Sequence, residues 1–294
     1  VRAMKPSRFS YHRPDRAADV VTLLGELGDT AKILAGGQSL VPMLSLRLAF
    51  FDHLIDISRL PELHGVQRTG AAVRVGAGTI EAVVGRDEDL RASVPLLSRV
   101  TPLIGHFQIR NRGTVGGSLA HADPAAEYPA VAVALDAEFD VLSSRGERTI
   151  PAGEFFTGLW STAMEPDELL VAARFPVWGG RCGFAVAEFA RRHGDFAIAG
   201  AVLGVEAGDD GRVLRCAMGL LGMGATPKRP YKAERSVIGQ RLSEVDPREL
   251  GELAVAGWDD VPSDLHGSAD YRRKVCAEMV ARAWVQAAEE ATCD

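Results

Sequence analysis

Apolar residues recur at helical spacing over residues 15–28, where Ala17, Val20, Val21, Leu24 and Leu27 share one face. Pro14 and Asp15 stand at the start of this run and Gly28 at its end. The pattern predicts an amphipathic helix with Asp15 as its cap and Gly28 as its stop. A short apolar strand over 33–35 follows, then a glycine pair, a helix from Ser39 or Pro42 to about Leu48, and a strand over 53–57. Strand, loop, helix and strand in that order predict an α/β first lobe.

From about residue 60 the texture changes. Val73 and Val75 alternate with Ala72 and Arg74, which predicts a strand over 72–76, with Thr79 as the cap of a short helix beyond it. Residues 88–105 read as largely helical, interrupted at Pro95 and Pro102. Alternation of Ala137, Phe139 and Val141 predicts another strand, and 169–175 a further one stopped by Pro176. Residues 177–182 read as a linker. Beyond them come strands over 184–189 and 212–221, a helix around 196–206, and helices near 246–256 and 269–290, the last with Val275, Met279, Val280, Ala283 and Ala287 on one face. The boundary near residue 178 divides the chain into an N-terminal domain, 1–177, with lobes of about 1–58 and 59–177, and a C-terminal domain, 178–294.

The 294 residues leave room for two cores, and 47% hydrophobic with 24% charged residues is the balance of an ordinary globular protein. A net charge of −6 with no Lys/Arg cluster argues against a nucleic-acid partner. No apolar run reaches the roughly 18 residues of a membrane span, so no integral membrane protein is expected. Val1 to Phe9 carries basic residues with no apolar stretch behind it and does not read as a secretory signal. Cys182, Cys216, Cys276 and Cys293 are scattered, with no C-x2-C pair, and read as reduced thiols that hold no metal cluster. The chain reads as cytoplasmic. His12, His53, His64 and His266 show no metal-ligand spacing.

Two glycine-rich stretches carry the candidate chemistry. The first, Ala35-Gly36-Gly37-Gln38-Ser39-Leu40, lies between a predicted strand and a predicted helix. Paired glycines there permit backbone shapes closed to other residues and close approach of a ligand, and outward N–H groups suit a phosphate; a plain tight turn accounts for the same residues. The second, Thr114-Val115-Gly116-Gly117-Ser118, repeats the glycine pair between hydroxyls, and Asp123-Pro124 follows. Asp123 suits two roles, an acceptor for sugar hydroxyls or a helix cap ahead of a proline. Two such loops in one domain suggest a diphosphate clasped from two sides. Neither loop is G-x-G-x-x-G, and G-x-x-x-x-G-K-[ST] is absent from the chain, which disfavours a nucleotide-fold dehydrogenase or an ATPase.

The first stretch with Pro42, the second extended from Gln108 through Asp123-Pro124-Ala125, Arg192-His193-Gly194-Asp195-Phe196-Ala197, and Ala269-Asp270-Tyr271-Arg272-Arg273-Lys274 together resemble the medium subunits of the xanthine oxidase family. Among these, the subunits of carbon monoxide dehydrogenase and nicotine dehydrogenase are the most alike. The resemblance spans nearly the whole chain. It implies an α+β fold: a two-lobed FAD-binding domain of the vanillyl-alcohol-oxidase type, followed by a smaller α+β domain of antiparallel sheet and helices. It implies that Ala35, Gly36, Gly37, Gln38, Ser39 and Leu40 contact FAD mainly through their backbone. Thr114, Gly116, Gly117 and Ser118 would form a second clasp, with Asp123 on the cofactor. Ile104 and Leu169 would lie against flavin or adenine, and Phe196 would take the place of an aromatic residue, often Tyr, beside the isoalloxazine. Ala187 stands where xanthine dehydrogenases carry a lysine, which weakens any case for NAD as acceptor, and no cysteine-rich insertion for a further cluster is present.

The implied activity is an electron relay. A molybdopterin cofactor on a large partner subunit oxidises the substrate, electrons cross two [2Fe-2S] clusters on a small partner subunit, and FAD on this chain passes them to an external acceptor. No catalytic acid or base is expected here. His106, His121 and His193 near the presumed site read first as ordinary hydrogen-bonded histidines, Arg110 and Arg112 as partners of the diphosphate or of other subunits, and Trp160, Trp178, Trp258 and Trp284 as core or interface residues. The alternative is a stand-alone FAD-dependent oxidase with its own substrate site, for which a C-terminal part of this size is a small cap.

Overall fold

The computed structural model describes residues 5–293, so the first four residues of the segment read above as lacking a signal lie outside it. The first lobe is built from β1 (Ser10–His12), α1 (Ala17–Leu27), β2 (Ala31–Leu34), α2 (Leu40–Ser45) and β3 (His53–Asp56). Its strands pair in parallel in the order β1-β3-β2. Helix α1 buries Ala17, Val20, Val21 and Leu24, the face its spacing predicts. Its cap is Arg16, not Asp15, and makes no side-chain capping bond; Gly28 ends the helix at φ +55°.

The second lobe begins with β4 (Val66–Thr69) and β5 (Ala72–Gly76) and continues through short helices α3 (Glu81–Val84), α4 (Glu88–Ser93), α5 (Pro95–Val100), α6 (Phe107–Arg110), α7 (Val115–His121) and α8 (Glu127–Ala134). Then come β6 (Glu138–Ser143), β7 (Gly146–Pro151), α9 (Ala152–Phe155), β8 (Phe156–Gly158), β9 (Ser161–Thr162) and β10 (Leu169–Pro176). An antiparallel sheet of order β4-β5-β10-β6-β7 closes this lobe. Thr79 does not cap α3. Ile80 holds that position, and the Thr79 hydroxyl is engaged with the backbone of Gly65 instead. Asp123-Pro124 does not open a helix either, because α8 starts at Glu127 behind Ala126.

The C-terminal part is a three-stranded antiparallel sheet, β11 (Arg181–Phe189), β12 (Ala199–Ala207) and β13 (Val213–Leu221), with α10 (Tyr231–Val237), α11 (Pro247–Val255) and α12 (Ala269–Thr292). The expected helix around 196–206 is therefore wrong: from Ala199 on, that stretch is β12, the central strand. Apolar residues on both faces of a buried strand give a run that reads equally as a helix. One face packs on the second lobe, where Phe184, Val202 and Leu221 join the core of Val75, Leu97, Tyr128 and Phe139. The other, with Leu203, Val205 and Met218, packs on Met279, Val280, Ala283 and Trp284 of α12. The expected linker is shorter than drawn, since Arg181 and Cys182 already belong to β11. The C-terminal sheet is thus a wall shared by two cores.

Candidate functional site

The first glycine loop leaves the end of β2 and turns into α2. Gly37 has φ +73°, a left-handed shape that costs an L side chain roughly 1–2 kcal/mol. The Gly37 carbonyl accepts from Val41 N–H, and the Gly36 carbonyl accepts from the Gln38 side chain. The amide N–H groups of Gly36, Gly37, Gln38 and Ser39 find no acceptor among the described residues. Ser39 takes the cap position of α2 without a side-chain capping bond, so its hydroxyl is not spent on the helix. A run of unpaired, half-buried donors on a glycine backbone is a cradle for an anion. The loop borders a cavity of about 340 Å³ that Asp56, Ser58 and Arg112 also line.

The second loop is organised differently. Gly116 N–H donates to Ala77 O at 2.8 Å, Val115 N–H to Thr79 O at 3.0 Å, and Ser118 N–H to Thr114 O at 3.0 Å. The Thr114 hydroxyl caps α7 by accepting Gly117 N–H at 3.0 Å. Most donors of this loop are therefore already satisfied, and it serves as a fixed wall rather than a second set of open N–H groups. Half-buried Ser118 adds a hydroxyl to it.

The two loops meet. A Cβ on Gly36 would overlap the carbonyl oxygen of Arg112 and lie 2.8 Å from the Gly113 Cα, and one on Gly117 would lie 3.8 Å from the Ala35 Cβ. Glycine at 36 thus allows backbone to rest on backbone. Gly116 serves the scaffold instead, because its Cα faces Ala77.

Near the second loop lie two buried acids, Glu81 and Glu127, and the half-buried Glu188. The Glu81 carboxyl sits against Gly113, whose absent Cβ would fall 2.6 Å from it, and Glu81 Oε2 has no hydrogen-bond partner among the described residues. Burial pushes its pKa up to about 7, against the pull of Arg110. Glu127 at the start of α8 is pushed up to about 8, by burial first and then by Glu188, itself raised to about 7 by burial. Arg110 is fixed by bonds from its guanidinium to the carbonyls of Ile104 and Gly105, each 2.8 Å. His121 has its pKa lowered, chiefly by burial. Asp123 accepts Ala125 N–H at 2.9 Å and the Trp160 indole N–H at 3.3 Å.

Of the remaining expected contacts, Ile104 is half-buried and packs on the second lobe's core. The Ile104–His106 turn is met from the C-terminal part by Gly194, where a Cβ would lie 2.7 Å from Gly105 O. Phe196, two residues on, is 67% exposed. Leu169 is 1% exposed and belongs to the first lobe's core with Leu24 and Ile57, so it presents almost no surface. Sequence reasoning missed Glu81, Glu127 and Glu188, whose meaning lies in burial; Trp160, expected in the core or at an interface, is exposed and stacks on His121, so it is not a core residue.

A model of the FAD binding domain in molybdopterin dehydrogenase matches residues 7–178, and one of the CO dehydrogenase flavoprotein C-terminal domain matches 184–287. The chain belongs to the FAD-binding medium subunits of the carbon monoxide dehydrogenase and xanthine oxidase family. It is 41% identical over 288 residues to the alpha subunit of the 6-hydroxypseudooxynicotine dehydrogenase complex of Paenarthrobacter nicotinovorans, covering 98% of this chain and 97% of that one. To the carbon monoxide dehydrogenase medium chain of Hydrogenophaga pseudoflava it is 38% identical over 281 residues, covering 95% and 97%. The solved carbon monoxide dehydrogenase of the latter organism superposes with a TM-score of 0.93 at 38% identity, covering 97% of this chain and 99% of that chain. Quinoline 2-oxidoreductase from Pseudomonas putida 86 superposes at 0.92 with 32% identity, covering 98% and 100%. No helix among the described residues is long and apolar enough to cross a membrane.

Proposed function

We propose that this chain is the FAD-carrying electron-transfer subunit of a heteromeric molybdenum hydroxylase, with a large molybdopterin-binding subunit and a small subunit holding two [2Fe-2S] clusters as its partners. It would accept electrons from those clusters and pass them to an external acceptor. The observation that carries the reading is the contact of the two glycine loops, one lined with unpaired amide donors and the other rigid. The donors at Gly36, Gly37, Gln38 and Ser39 would hold the diphosphate, with Ala35 and Leu40 shaping the loop's ends. Gly116 and Gly117 bring the second wall close, Thr114 fixes it, and Ser118 and Asp123 would take ligand hydroxyls. Ile104 and Phe196 would bracket the ring system, and Leu169 would support the first lobe from within its core. When bound, FAD supplies the exchange of single electrons for pairs; the protein's share is to place it and set the local field. In this reading residues 1–177 form the FAD-binding domain and 178–294 the C-terminal domain.

The test is a visible spectrum of the purified chain, alone and with candidate partner subunits. The reading expects about one flavin per chain, reduced by substrate only when the partners are present. A chain without flavin overturns it. Reduction by an alcohol without partners establishes a stand-alone oxidase in its place.

A further inference from the structure

Four non-glycine residues among those described hold a positive φ: Arg47, Ala122, Asp136 and Trp160. Two of them frame one contact. Ala122, at φ 54°, ends α7 in the left-handed conformation and separates His121 from Asp123. Trp160, also at φ 54°, stands at the tip of the β8–β9 hairpin. Its indole N–H donates to Asp123 Oδ2 at 3.3 Å, and its ring lies over His121 with centroids 6.1 Å apart and planes 13° from parallel. The tight turn of this hairpin calls for a positive φ at a loop position, so the turn sets the backbone of Trp160. Its side chain is 56% exposed, and its ring and N–H contacts both go to the segment leaving α7, directly after the second glycine loop.

We infer that the β8–β9 hairpin is the outer strap of the cofactor site and that Trp160 is a positioning residue, orienting the Asp123 carboxylate toward a ligand hydroxyl while its ring shields His121 from water. The inference rests on the FAD reading given above. Ala125 N–H and the indole hold the two carboxylate oxygens from opposite sides. The carboxylate's rotation is thereby set before any ligand arrives, and its remaining lone pairs are left to accept. Losing the indole N–H frees that rotation; losing the whole ring also uncovers the histidine.

The experiment measures FAD dissociation from the full chain for wild type, Trp160→Phe, Trp160→Ala and Asp123→Ala. Trp160→Phe keeps the ring over His121 and loses the N–H; it is expected to speed dissociation about fivefold, the scale of one hydrogen bond to a carboxylate weakened by exposure. Trp160→Ala should lose more. Adding Trp160→Phe to Asp123→Ala should change nothing further, since the two act as one unit. That absence of any further effect in the Asp123→Ala background is what a purely structural role of Trp160 would not produce. Melting temperatures without FAD control for damage to the fold and should stay together. Wild-type dissociation in Trp160→Phe, or a full further loss when it is added to Asp123→Ala, would overturn the inference alone, and a wild-type chain that takes up no FAD would overturn it together with the reading beneath it.

Discussion

The two glycine loops look alike in sequence and do opposite work in the fold. Around Gly36 and Gly37 the backbone donors are open and Gly37 is held left-handed. Around Gly116 and Gly117 nearly every donor is taken, by Ala77, Thr79 or the Thr114 hydroxyl. One loop is a set of hands and the other a wall. Glycine pairs therefore do not report a binding surface by themselves; the number of N–H groups left without acceptors does.

The sharpest way to break the comparison is at Gly36. A side chain there meets the Arg112 carbonyl and the Gly113 Cα, which are backbone and cannot give way. Gly36→Val is expected to force the loops apart and leave the purified chain without flavin absorbance, a loss of about 100-fold or more in affinity, with a melting temperature several degrees lower. Gly37→Ala should be milder. Its Cβ would lie 3.0 Å from Val41 Cγ2 and 3.1 Å from Leu34 Cδ1, flexible atoms that can shift, and the left-handed φ adds roughly 1–2 kcal/mol. About a tenfold loss of FAD affinity by equilibrium titration follows, with the fold retained. Full affinity in Gly37→Ala would mean that the loop's shape is not what holds the ligand.

The acids behind the wall give a pH test. Burial holds the Glu127 pKa up at about 8 in the folded chain, whereas the unfolded chain ionises it near the ordinary glutamate value of 4.5. The stability it contributes is full below the lower value and is lost as pH rises through the upper one. Asp123, Glu81 and Glu188 face it with the same sign of charge, which deepens the effect at high pH. Glu127→Gln should therefore flatten the fall in melting temperature between pH 5 and pH 9, measured at saturating FAD in both proteins. An unchanged slope would show that the carboxyl is already ionised in the fold.

How much was legible beforehand follows from what each feature depends on. Helix α1 and strand β5 could be read because a single amphipathic face writes its own period. The strand β12 could not, because it is buried on both sides and its apolar run carries no period, so it reads equally as a helix. The caps at Asp15 and Thr79 failed for a related reason: a residue type suited to capping says nothing of rival partners, and Thr79 is engaged with Gly65. Residue types and spacing pointed to both loops, but their contact and the difference in their donors depend on β2 and α7 being brought together from positions some 80 apart. The carboxyls of Glu81, Glu127 and Glu188 look like surface charge in sequence and acquire meaning only from burial.

The finest separation of hands from wall comes from two hydroxyls. Thr114→Ala removes the cap on Gly117 N–H and should cost about 1 kcal/mol of stability, the usual worth of such a cap. Its effect on FAD should be indirect and small, since the hydroxyl is turned inward to the helix. Ser118→Ala removes a half-buried hydroxyl one turn further on, on the side assigned to the ligand, and should weaken FAD by only a few-fold while leaving the melting temperature of the FAD-free chain alone. Measured as a pair, the two variants should cross: stability falls in one and affinity in the other. If both lost affinity equally with no loss of stability, the Thr114 hydroxyl would be serving the ligand rather than the helix, and the second loop would be a clasp after all.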